Sequence, residues 1–138
     1  MPEEVHYLPE KGMIKVRSYG EISMDDWQGS LRRVIEISDR ESVDLVLVDT
    51  REQKATPGSQ DIYDFSVSLP KHLKFAVILP DAFQCSDLDE IENTFKVMEA
   101  QVSVSKICDN KGKQVRLFNN YDKAVNWLKE EELEPSDY

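Results

Sequence analysis

At 138 residues the chain has the length of one domain, and its net charge of -10 disfavours phosphate backbones and anionic lipid headgroups. Charged residues make up 32% and the hydrophobic set 40%, a globular composition in which no Lys/Arg run overrides the acidic total. The longest apolar runs, FAVIL and LVLV, fall far short of the roughly 20 residues a membrane helix needs, and MPEEVHYLPE has no apolar leader core, so the expectations are no nucleic acid, no membrane insertion and a cytoplasmic location.

In chain order, EVHYL and MIKVRSY alternate like strands and are joined by PEKG, whose proline and glycine suit a hairpin turn. In the second strand Ile14, Val16 and Ser18 face one way, and Lys15, Arg17 and Tyr19 the other. A first helix follows, with Ser23 and Asp26 as a capping box and Trp27, Leu31, Val34 and Ile35 as its stripe. DLVLVD reads as a strand buried on both faces, ending at Asp49, with TREQKATPG as a loop beyond it.

A short second helix carries Ile62, Phe65, Ser66 and Leu69, and LKFAVILP is a further buried strand. The third helix is capped by Ser86, reaches about residue 110 and places Leu88, Ile91, Phe95 and Met98 on one stripe that Val102 continues. KQVRLF is the last strand. The last helix starts at Asn120 and turns Tyr121, Ala124, Val125 and Leu128 inward. The order is ββαβαβαβα: a single-domain α/β fold over residues 1–130, with a mixed, mostly parallel five-stranded sheet, an N-terminal hairpin and four helices, then an acidic tail over 131–138.

YGEIS, LVLVDTRE, LKFAVILP and above all GKQVRLFNNYDKAVNWL resemble the SpoIIAA-like domains of the STAS/Sec14 type over nearly the whole chain. The resemblance implies a compact regulatory or ligand-binding module, often self-associating and usually without enzymatic activity. The Asp-Ser-Ser/Thr-Gly motif of the anti-sigma-factor antagonists does not occur here, so the resemblance does not carry over their phosphorylation switch.

Position makes Asp49, Arg51, Thr56 and Ser59 the candidate ligand-binding or interaction residues. In open α/β sheets, crevices form beyond the carboxyl ends of strands, where helix N-termini present free N–H groups. A plainer reading has Thr56 or Ser59 as an N-cap, Pro57 as a first-turn proline and Asp49–Arg51 as a surface pair. A third makes Ser59 a phosphoacceptor. Gly58 alone lacks the glycine spacing of a phosphate-cradling loop.

His6 and His72 stand on separate elements without a carboxylate–histidine motif, so neither a metal site nor a Ser-His-Asp set is expected, and no cofactor is implied. Cys85 precedes a helix whose field favours a thiolate, though the position equally suits a small buried filler. Cys85 and Cys108 read as reduced thiols. Trp27 and Trp127 belong to core or interface. The third helix is long for so small a sheet, and its apolar stripe would cover either a second copy or one wall of an apolar pocket. The leading expectation is a non-enzymatic module acting on a protein partner or as a homodimer. The alternative is a carrier of an apolar or anionic small molecule.

Overall fold

A computed structural model describes residues 3–81 and 85–130; the tail expected over 131–138 lies outside the described residues. Strands β1 (Glu3–Leu8), β2 (Met13–Glu21), β3 (Leu45–Ala55), β4 (Lys74–Ile78) and β5 (Gln114–Phe118) alternate from β2 onward with α1 (Met24–Glu41), α2 (Ser59–Ser68), α3 (Leu88–Asn110) and α4 (Tyr121–Glu130). The five-stranded sheet runs β1-β2-β3-β4-β5, with β1 antiparallel to β2 and every other pair parallel. This is the α/β order and topology the alternating patterns predict.

The spatial order follows the chain because each crossover moves one strand outward in the same direction. Two cores result. On one face Ile14 pairs with Val46, Val46 with Phe75 and Phe75 with Val115, a hydrophobic row under α1, α2 and α3. On the other, Met13, Leu47, Ala76 and Ile78 pack against Ala124 and Leu128 of α4. β4 is buried along its whole length, as an apolar run between two helical layers must be.

Several expectations shift in detail. β3 does not stop at Asp49 but continues to Ala55, paired with β2 as far as Glu21 through two register shifts, each of which puts one extra residue in β3. Gly58 is the N-cap of α2 and makes no side-chain cap bond, so neither Thr56 nor Ser59 caps the helix and Pro57 lies before the cap. Asp87, not Ser86, caps α3 by accepting from the Glu90 N–H at 2.9 Å; Ser86 bonds to the Glu90 carboxylate. The Ser23–Asp26 capping box forms as read.

The structure also sets the rotation of α3, whose stripe the sequence left to a second copy or a pocket wall. Its inward face is Val97, Ala100, Gln101, Val104 and Cys108, while Leu88 is 81% exposed, Phe95 51% and Val102 37%. Small side chains let the helix lie close to the sheet and to α2, and the bulkier stripe turns outward.

Candidate functional site

Strand alternation separates the four residues grouped in sequence. Asp49 sits at the end of the segment paired with β4, on the sheet face of Met13 and Leu47. Its side chain is nearly buried, and Arg51 clamps it: Nε donates to Oδ1 at 2.9 Å, Nη2 to Oδ2 at 2.7 Å, and the Arg51 backbone N–H to Oδ1 at 3.1 Å. Burial pushes the Asp49 carboxyl up, but the Arg51 hydrogen bonds and charge, with Lys15 adding to them, hold it below the usual range. The Arg51 guanidinium is thereby committed to its neighbour two residues away.

Lys15 also lies 5.6 Å from the centroid of the Tyr121 ring, and Lys11 lies 5.3 Å from it while donating to its hydroxyl at 3.3 Å. Tyr121 opens α4, so this face is closed by cation–aromatic contacts.

Thr56 and Ser59 belong to a different place. With Pro57, Gly58 and Ile62 they form one wall of an open groove of about 600 Å³, and Phe95, Met98, Glu99 and Val102 of α3 form the other. Thr56 Oγ1 donates to the Pro57 carbonyl at 3.1 Å, and Ser59 is exposed at the first turn of α2. The structure thus brings Thr56 and Ser59 together with the outward stripe of α3. Asp49 and Arg51 do not line that groove.

Among the described residues the exposed large hydrophobic side chains are Tyr63, Leu88, Phe95 and Val102, all on α2 and α3. The same two helices carry exposed acids, Asp61 and Asp64 on α2 and Asp89, Glu92 and Glu99 on α3, against Lys96 and Lys106, while the groove itself is lined by one charge of each sign, Lys96 and Glu99. The sequence signalled this face as the apolar stripe of α3, expected to cover a second copy or one wall of a pocket, and Phe95, Met98 and Val102 do line a groove wall; the inner stripe of Val97, Ala100, Val104 and Cys108 is the one that sequence reading missed.

A separate chamber of about 70 Å³ lies under α1, α2 and α3, between the helices and the sheet. Val16, Val48 and Val77 form its floor, and Trp27 and Phe65, with ring centroids 4.8 Å apart, close one side. Glu3 stands in its wall, only 5% exposed. Sequence reading missed it, because the first strand was read from Glu4; the Glu3–Val5 alternation is the signal that places Glu3 on the inner face.

Cys85 Sγ lies 3.2 Å from Thr94 Oγ1, and Cys108 is buried, its thiol pushed up by that burial and partly drawn back by Lys113. His6 and His72 are exposed on separate elements. No group of three or more His, Cys, Asp or Glu able to hold a metal occurs among the described residues, and no helix there is long and apolar enough to cross a membrane.

No family model and no curated protein matches the chain. Among solved structures, an uncharacterized DUF3478-family protein with a SpoIIAA-like fold from Shewanella loihica PV-4 aligns at a TM-score of 0.52 and 15% identity, covering 84% of this chain and 83% of its own.

Proposed function

We propose that this chain, an α/β domain of SpoIIAA-like fold, is a non-enzymatic, STAS-like interaction module that binds a protein partner through its α2–α3 face. The observation that carries the reading is the outward stripe of α3: Phe95, Met98 and Val102 face the Thr56–Ser59 wall across an open groove. Leaving several large apolar side chains in water is unfavourable unless a partner covers them. A groove with apolar side chains in its walls suits an amphipathic helix laid along it.

Charge selects the kind of partner. The acids on α2 and α3 outnumber the lysines there, within a chain of net charge -10. Two copies meeting through this face would bring two acidic rims together, whereas a segment with apolar anchors and flanking Lys or Arg would meet a complementary rim. The partner is therefore a basic amphipathic segment of another protein.

A titration tests this directly. An amphipathic helical peptide with Leu anchors and Lys flanks, and a twin with Glu flanks, are added to isotopically labelled protein while amide resonances are followed. The expected result is saturable shifts on α2 and α3 with the Lys peptide, weakened by salt, and much weaker binding of the Glu twin. Shifts centred on Asp49 and Arg51, equal binding of both peptides, or no saturable shift would overturn the reading.

A further inference from the structure

The chamber beneath α1–α3 carries an inference independent of the protein-binding face. Its lining is dominated by Val, Leu, Phe and Trp, with a few hydroxyls and one amide, and among the described residues that line it Glu3 is the one ionisable group. The Ser18 hydroxyl donates to Glu3 Oε2, and the Ser30 hydroxyl stands close enough to the carboxyl to favour its charged form, but Glu3 Oε1 is buried with no partner in hydrogen-bonding geometry. A buried carboxylate oxygen left unpaired costs far more than a paired one, so the site calls for a donor at that atom.

The chamber also has a way in. Val48 lies on the middle strand of the sheet yet is only half-buried, and so is Phe65 in the opposite wall. An engineered apolar cavity of roughly 150 Å³ holds benzene, so a chamber of about 70 Å³ holds about three non-hydrogen atoms. The acidic surface raises the local concentration of small cations.

We propose that this chamber binds a small primary amine, its ammonium donating to Glu3 Oε1 and its short alkyl body lying against Val48, Trp27 and Val104. The ammonium neutralises the one charge in the lining, and the alkyl chain fills space that the surrounding side chains leave. A neutral molecule of the same size satisfies the second requirement without the first.

The test is a titration of the methyl-labelled full chain with ethylammonium, with ethanol as its neutral counterpart, on the wild type, Glu3→Gln and Val48→Phe. The expected result is saturable shifts of the Val48 and Val104 methyls with the amine, and binding about tenfold or more weaker for ethanol and for Glu3→Gln, matching the loss of one charge-assisted hydrogen bond. Val48→Phe, which adds bulk at the chamber floor, abolishes binding with Glu3 intact, so either variant decides the matter if the other fails to fold. Equal binding of ethanol and amine, amine binding unchanged in Glu3→Gln, shifts located elsewhere, or no saturable shift at millimolar amine would each overturn the proposal.

Discussion

Lys74 Nζ donates to the carbonyl of Trp127 at 2.9 Å and lies 4.2 Å from the centroid of the same residue's ring. A strand lysine, buried on both sides by the sheet and α4, is thus spent on the last turn of the final helix, where free carbonyls and the negative end of the helix dipole favour a cation. Lys113 makes the equivalent contact with the carbonyls of Ser66 and Val67 at the end of α2.

Lys74→Met therefore costs about 1–3 kcal/mol, since Met fills the space but leaves two carbonyls without their donor. Urea unfolding of Lys74→Met, Trp127→Ala and the double variant checks this. The cation–aromatic contact predicts a coupling of about 0.5–1 kcal/mol or more, and strict additivity would mean the two residues do not act together.

Arg51→Ala lowers stability by about 1–2 kcal/mol because it strips a nearly buried carboxylate of its bidentate partner. The folded Asp49 carboxyl lies below its ordinary range, so the stability it supplies is present above that range and is lost as pH falls through the folded value. An acid titration of stability in wild type and Arg51→Ala should show the wild type losing more on acidification.

Glu3 behaves oppositely. Burial pushes its carboxyl above the ordinary range and Asp26 adds to the rise, against the Ser18 and Ser30 hydroxyls. The fold then retains a proton that the unfolded chain releases, so its contribution falls as pH rises from the ordinary carboxylate range through the folded value. Glu3→Gln cannot ionise, and its stability relative to wild type is expected to be greater at about pH 7 than at about pH 4. Denaturant midpoints at the two pH values measure it, and an unchanged difference would mean Glu3 is solvated.

The rotation of α3 predicts a sharp contrast between two valines five residues apart. Val97→Ala, at a fully buried position, costs about 2–3 kcal/mol. Val102→Ala, on the outer stripe, costs less than about 0.5 kcal/mol. Reversed magnitudes would place the stripe of Leu88, Ile91, Phe95 and Met98 in the core instead.

Much of this fold is legible in the residues because local and global requirements agree. LVLV and FAVIL are strands buried on both faces, Ser23–Asp26 and Asn120 mark helix starts, and Gly112 takes the left-handed φ of 73° just beyond α3. The failures lie where local signals are degenerate. α3 carries two apolar stripes, and only contact with the sheet and α2 selects Val97, Ala100, Val104 and Cys108 as the inner one. The extension of β3 past Asp49 depends on pairing with β2, which no local spacing in TREQKA announces. Asp49, Arg51, Thr56 and Ser59 are close in sequence, yet the intervening strand residues set the pairs on different sides of the molecule. Glu3 reads as one more acid in an acidic N-terminus until the Glu3–Ser18 register places it indoors.

The most direct test of the interaction role is cross-linking mass spectrometry on the tagged protein expressed in its own cells, comparing wild type with Phe95→Asp/Val102→Asp. The account predicts a partner cross-linked to α2 and α3 through a basic amphipathic segment in the wild type and absent from the variant, with the variant still folded. An identical set of cross-links in both proteins, or cross-links that only join two copies of this chain, would contradict it.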